Sequence, residues 1–213
     1  MTKVYIVGGG NEQYRQLIKG FGMELTTSPE YADLGLFTGG EDVTPSLYGA
    51  FPHPMTHSNI QRDESERMYF DAFKEFGTPM IGICRGGQFL NVMSGGEMYQ
   101  HVTHHTNDHV IMDVLSQNTL WASSTHHQMM KPSVKGLVVA TAYERGRRQW
   151  FDRDVFMQGW SDEDIEVVYY EHTKCLCFQP HPEFSGERYN HMRDYLKELF
   201  TRFDMVQYEK VAA

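Results

Sequence analysis

The chain has 213 residues and a formal net charge of −9, a length that suits one domain spanning 1–213 and a balance that excludes the basic face of a nucleic-acid binder. Three cysteines, Cys84, Cys175 and Cys177, are too few for a disulfide framework and fit a reducing compartment. No apolar run approaches the roughly 20 residues that span a bilayer, and the first residues read as a strand and not a signal peptide, so a cytoplasmic protein with no membrane contact is expected.

Val4 to Val7 reads as a strand ending in Gly8-Gly9-Gly10. That run lacks the G-x-G-x-x-G spacing of a dinucleotide loop and reads as a tight turn. Glu12 to Gly20 reads as a helix, and Leu34 to Phe37 as a buried strand running into Thr38-Gly39-Gly40. A loop with Pro and His follows, from Pro45 to about Asn59. Asp63 and Glu66 have the spacing of a capping box, which predicts a helix to about Phe76, stopped at Gly77. The apolar run Pro79-Met80-Ile81 starts the next strand, and a helix from about Gly86 to Met93 ends at Gly95-Gly96.

Val110 to Val114, Gly136 to Ala142, Ile165 to Glu171 and Leu176 to Gln179 read as strands, with Cys175 and Cys177 as packing residues. Arg145, Arg147 and Arg148 beside Trp150 read as a solvated hairpin or a partner contact, and Asp152–Asp154 and Ser161–Asp164 as polar turns. Ser185 to Phe203 reads as a helix with Tyr189, Met192, Tyr195, Leu196 and Leu199 on one face. The alternation predicts an α/β fold with a mostly parallel central sheet and ligands beyond the carboxyl ends of its strands.

Cys84 stands in Gly82-Ile83-Cys84-Arg85-Gly86-Gly87-Gln88, between that strand and the helix. This is the pattern of a nucleophile elbow with cysteine in the serine position. The helix N-terminus behind the sulfur favours thiolate over thiol. His181, in Gln179-Pro180-His181-Pro182-Glu183, is the candidate base. Two prolines hold that segment extended, so Glu183, two residues on, lies beside His181 and can orient it. The oxyanion donors expected are the backbone N–H of Arg85 and that of Gly39 or Gly40. Gln88, one helical turn after Cys84, can face the same pocket.

These residues resemble the class I (triad) glutamine amidotransferases and the related γ-glutamyl hydrolases. The family's elbow appears as Gly82–Gln88 and its His-Pro-Glu as His181-Pro182-Glu183. The subgroup of γ-glutamyl-γ-aminobutyrate hydrolase is the nearest in pattern, through the runs Gly39–Gly49, Cys84–Gln100 and Ser124–Gln128. The resemblance runs in order from about residue 33 to 184. Pro180 departs from it, because many relatives carry Trp there.

The resemblance implies a flavodoxin-like three-layer sandwich with a small antiparallel addition. It implies attack by Cys84 on a γ-glutamyl carbonyl, a thioester, and hydrolysis with His181 as base. Gln88 and the backbone near His127 and Gln128 would hold the glutamyl head group. The substrate is then glutamine or a γ-glutamyl amine or peptide, no cofactor is called for, and a separate synthetase is a candidate receiver of ammonia. A catalytically silent binding module is the reading of another class.

His101, His104, His105 and His109 crowd one stretch, and His126 and His127 another. The segment from Val102 to Asp108 is polar and reads as a loop, and no clean set of four ligands emerges, so no metal is assigned. Whether the stretch 101–109 binds one stays open.

Overall fold

The computed structural model describes residues 1–206 except 144, 161 and 162. The first half contains β1 (Lys3–Val7), α1 (Glu12–Gly20), β2 (Glu24–Leu25), β3 (Leu34–Phe37), α2 (Ile60–Phe76), β4 (Met80–Ile83) and α3 (Arg85–Met93). Then come β5 (Glu97–Tyr99), β6 (His101–Val102), β7 (His109–Asp113), β8 (Thr119–Ala122), β9 (Met129–Lys131) and β10 (Leu137–Ala142). The chain continues with β11 (Arg147–Asp152), β12 (Val155–Trp160), β13 (Asp164–Tyr170), β14 (Cys175–Phe178) and α4 (Asn190–Arg202).

Among the described residues nine strands form one sheet in the order β2-β1-β3-β4-β14-β13-β10-β7-β8. From β2 to β14 the neighbours are parallel; beyond β14 each pairing is antiparallel. Two small antiparallel sheets, β12-β11-β6 and β5-β9, stand beside it. The expected α/β architecture is the one observed.

Side-chain alternation along the buried strands makes three layers. Leu34, Leu36, Ile81, Ile83, Leu176 and Phe178 pack with α1 and α4, through Leu17, Ile18, Leu196 and Leu199. Phe37, Met80, Cys175 and Cys177 face the other way, against Phe73 of α2 and Phe89 and Leu90 of α3. Cys175 and Cys177 are therefore packing residues, and burial pushes the Cys175 thiol up to about 12. Among the described residues no helix is long and apolar enough to cross a membrane.

Several local expectations change. Helix α2 starts before Asp63: Asn59 is its N-cap and accepts the Arg62 N–H at 3.2 Å. Asp63 and Glu66 are buried and pair with Arg85 instead of capping. The tail opens with a 3-10 turn, Glu187–Tyr189, after Gly186 at φ 119, and only then enters α4. Arg148 is not solvated: its guanidinium lies 4.2 Å from the Tyr99 ring centroid and donates to Asp164 Oδ1 at 3.0 Å. Asp164 is no exposed turn residue but the fully buried start of β13; Ser161 and Asp162 of that expected turn lie outside the described residues.

Candidate active site

Strands β4 and β14 are parallel neighbours, with Ile83 opposite Phe178. Their carboxyl ends deliver the cysteine turn and the His-Pro-Glu segment side by side. Cys84 sits at φ 52, ψ −116 as the cap of α3. A non-glycine residue in such a region is strained by roughly 1–3 kcal/mol and persists only where its surroundings fix it. Here the Cys84 N–H donates to Phe178 O at 2.8 Å and the Cys84 carbonyl accepts the Gln88 N–H at 3.0 Å.

The glycines around it are sterically required. A Cβ on Gly82 would lie 2.2 Å from the Gly86 carbonyl carbon and oxygen, and one on Gly86 would lie 2.2 Å from Phe37 O. The elbow thus packs backbone on backbone against β3.

His181 Nδ1 lies 2.7 Å from Glu183 Oε1. The segment is not extended as expected: the Phe184 N–H returns to His181 O at 3.4 Å, and this turn brings the carboxylate beside the ring. Ser123 Oγ accepts the His181 N–H at 2.8 Å, Thr125 Oγ1 lies 3.0 Å from Nε2, and Phe184 stacks on the imidazole at 4.5 Å between centroids. Burial works to lower the His181 pKa, but hydrogen bonding and charge from Cys84 and Glu183 outweigh it and raise it to about 10.

Gly39 lies between the nucleophile and base candidates. A Cβ built on it would lie 3.6 Å from Cys84 Cβ, 3.4 Å from His181 Cε1 and 3.1 Å from the Tyr14 hydroxyl. The Gly39 N–H donates to that hydroxyl at 2.9 Å, so its N–H is already engaged. Tyr14 is buried, which with the nearby Glu183 carboxylate raises its pKa and keeps the phenol protonated. The carbonyls of Thr38 and Gly39 each accept from Arg62 Nη2 at 3.1 Å.

A cavity of about 200 Å³ opens over Cys84, lined by Gly40, Asp42, Gln88, Thr125, His127 and Gln128 among others. Gln88 donates to Gln179 Oε1 at 3.1 Å and to Gln128 O at 3.4 Å. Gln128 Oε1 is buried and, among the described residues, has no hydrogen-bond partner. His127 Nε2 lies 3.2 Å from Asp42 Oδ1, and this contact raises the His127 pKa against the opposing effect of burial.

Cys84, Gly40, Arg85, Gln88, His127 and Gln128 line this one cavity, while Gly39 and His181 lie next to Cys84 outside its lining and Glu183, behind His181, borders a separate cavity. Sequence reasoning gave no role to Tyr14, Asp42, Arg62, Ser123 or Thr125, although Asp42 stands inside the run Gly39–Gly49. Thr125 stood inside the quoted run Ser124–Gln128, but nothing in its type marks a histidine contact. Tyr14 reads in sequence as one more buried face of α1.

Residues 30–147, more than half of the chain, match the family Peptidase C26, and the chain belongs to that glutamine amidotransferase-like family. The glutamine amidotransferase-like protein YvdE of Lactococcus lactis is 29% identical over 187 residues, covering 78% of this chain and 71% of that one. A stretch of 68 residues is 44% identical to Rv2859c of Mycobacterium tuberculosis, covering 32% of this chain and only 22% of the relative. A solved glutamine amidotransferase from Thermotoga maritima superposes with a TM-score of 0.61 at 12% identity, covering 96% of this chain and 86% of that one. That last likeness speaks for the fold alone.

Proposed function

We propose that this protein is a cysteine-dependent amidohydrolase that cleaves a γ-glutamyl amide, with glutamine giving glutamate and ammonia. The observation that carries this reading is the convergence of Cys84 and the His181–Glu183 pair at the ends of two paired parallel strands.

In this mechanism the Cys84 thiolate attacks the γ-carbonyl, and the C–N bond breaks as protonated His181 gives its proton to the leaving nitrogen. The γ-glutamyl thioester is then hydrolysed by a water that His181 deprotonates, restoring the sulfur. Glu183 holds Nδ1–H and so leaves Nε2 to handle both protons. Arg85 N–H and Gly40 N–H are the donors assigned to the oxyanion, each worth about 3 kcal/mol. Gly39 is reassigned: Tyr14 holds its N–H, and its missing side chain keeps the gap between Cys84 and His181 open. Gln88, Gln128 and the backbone at His127 hold the head group, with the unpartnered Gln128 Oε1 and the Asp42 carboxylate facing a substrate ammonium.

A second reading gives the substrate as a γ-glutamyl amine or peptide, of the γ-glutamyl-γ-aminobutyrate hydrolase type. It is favoured by the runs Gly39–Gly49, Cys84–Gln100 and Ser124–Gln128 and by membership in a peptidase family. Both readings share every residue above and differ at the leaving group. If the ammonia is used for synthesis, the receiver is a separate synthetase partner.

The test is hydrolysis by the purified chain of glutamine against a panel of γ-glutamyl amines. Ammonia from glutamine alone supports the first reading, and amine release the second. Activity that needs an added synthetase supports an amidotransferase subunit. A Cys84→Ser chain that hydrolyses the panel as fast as the parent ends both.

A further inference from the structure

Beyond the thiol pocket, three histidines converge on one carboxylate oxygen. His105 follows β6, His109 begins β7, His126 lies in the loop 123–128 and Glu166 is in β13. Glu166 Oε1 stands 3.0 Å from His109 Nε2, 3.2 Å from His105 Nδ1 and 3.5 Å from His126 Nε2. All four residues are buried, Glu166 and His105 at 1% exposure.

The opposite ring nitrogens decide what these contacts are. His109 Nδ1 lies 3.1 Å from Asn107 O, and His126 Nδ1 lies 2.7 Å from Gln128 O. His105 Nε2 lies 2.8 Å from Asp164 Oδ2. Carbonyl and carboxylate oxygens only accept, so each of these nitrogens carries the N–H. In each neutral ring the other nitrogen then presents a lone pair close to an oxygen that also has only lone pairs to offer, and only His109 Nε2 is aligned with it as in a hydrogen bond. His105 Nδ1 and His126 Nε2 are buried and have no hydrogen-bond partner among the described residues. Making all three contacts hydrogen bonds would gather three imidazolium ions around Glu166, with Asp164, among the described residues, the one other carboxylate on the three rings.

A single cation resolves the whole arrangement. Histidines that ligate a metal hold their second N–H on a carbonyl or carboxylate, the pattern all three rings show here. With bonds of about 2.05 Å, ligand atoms on a tetrahedron are about 3.3 Å apart. The His109 and His105 nitrogens, 3.0 and 3.2 Å from Glu166 Oε1, lie near that edge, and the ligand atoms of His105, His109 and Glu166 are all within 4.8 Å of one another; His126, 3.5 Å from the oxygen, stands just outside that set. Three imidazoles and one carboxylate suit zinc better than calcium or magnesium, and a closed set of four protein ligands is the form of a structural site.

We infer that His105, His109 and Glu166 form a buried structural site for a divalent transition metal, with zinc the best match and His126 moving inward on binding to complete the set of four. The sequence hid it because only His105 and His109 are close along the chain. The site ties the stretch after β6 and the loop 123–128 to β13. That loop also supplies Ser123 and Thr125, which touch His181, and Gln128, which lines the pocket. The inference does not depend on the proposed reaction.

The test is metal analysis of the tag-free full chain, then zinc titration of chelator-treated protein followed by calorimetry. One equivalent of zinc per chain is expected, with a rise in melting temperature on binding. Cobalt(II) added in its place should give the intense visible absorption of a tetrahedral site. Glu166→Gln and His126→Asn should each weaken zinc binding by at least about 10- to 100-fold. Zinc could instead sit on the thiol and imidazole of the pocket, so Cys84→Ala is the control and should keep its equivalent. The wild-type cobalt spectrum reads the site even if the ligand variants fold poorly. Folded wild-type chain that holds below about a tenth of an equivalent and binds none on addition overturns the inference. So does zinc that is lost in Cys84→Ala and kept in Glu166→Gln.

Discussion

Arg85, the residue after the elbow cysteine, runs its guanidinium under α2 into a buried ion pair with Asp63. Its second nitrogen pairs with Glu66, which also takes Arg62 Nε at 2.8 Å. Arg62 in turn donates to the carbonyls of Thr38 and Gly39. One chain of charges therefore links the cysteine turn to the glycine loop across the pocket.

Breaking that chain at its centre should be costly. Removing one partner of a buried pair strands the other charge, at about 3–5 kcal/mol. Arg85→Met is expected to lose stability of that order in urea unfolding, because Asp63 and Glu66 are both left in the interior. Arg85→Lys keeps the charge but not the two-armed geometry, and should fall between. An Arg85→Met chain as stable as the parent would show the network to be incidental.

Stability should also depend on pH through His181. Its pKa, about 10 in the folded chain against an ordinary 6.5, is raised. A raised histidine contributes its full stabilisation below the unfolded value, and that stabilisation is lost as pH rises through the folded value. The wild-type chain should therefore lose unfolding free energy between about pH 6.5 and 10, and His181→Gln should flatten that decline. Parallel curves for the two chains would place the titrating group elsewhere.

Gly86 in the elbow and Gly20 at the end of α1 provide a paired test. Gly86→Ala drives a Cβ to within 2.2 Å of Phe37 O, which is backbone and cannot swing aside. Overpacking of this kind costs about 1–3 kcal/mol or more. Gly20→Ala, with nothing within 4 Å, should be neutral or gain roughly 0.5–1 kcal/mol from helix propensity. Thermal unfolding of the two variants should move in opposite directions or differ by several degrees.

Tyr14→Phe should act on turnover more than on binding. The change strips the Gly39 N–H of its acceptor at 2.9 Å without altering the ring. Leaving a buried donor unpaired costs about 1–3 kcal/mol, which loosens the loop that carries Gly40. With hydrolysis of the best substrate as the readout, kcat should fall about 5- to 100-fold while KM changes little. A rise in KM with kcat unchanged would assign Tyr14 to substrate binding instead.

How far the sequence was readable follows the range of the forces involved. Alternating apolar strands and the Gly-x-Cys turn are local signals, and they placed β1, β3, β4, β14 and Cys84 where the structure has them. Asp63 and Glu66 misled because a capping box and a buried Arg85 clamp use the same residues at the same spacing, and only tertiary distance separates them. Strands β5, β8 and β9 are short and lack a strong alternating pattern. The partners of His181 arrive from the loop 123–128, more than fifty residues away in sequence, so no spacing rule could find them.

The most direct measurement is covalent trapping. The wild-type chain is incubated with an electrophilic analogue of glutamine, digested, and mapped by mass spectrometry. One adduct on the peptide bearing Cys84 is predicted, slowed by glutamine or a γ-glutamyl amine and strongly reduced in His181→Ala. Labelling at Cys175 or Cys177 instead, or labelling of Cys84 that no γ-glutamyl compound slows, would contradict a nucleophile built for that substrate.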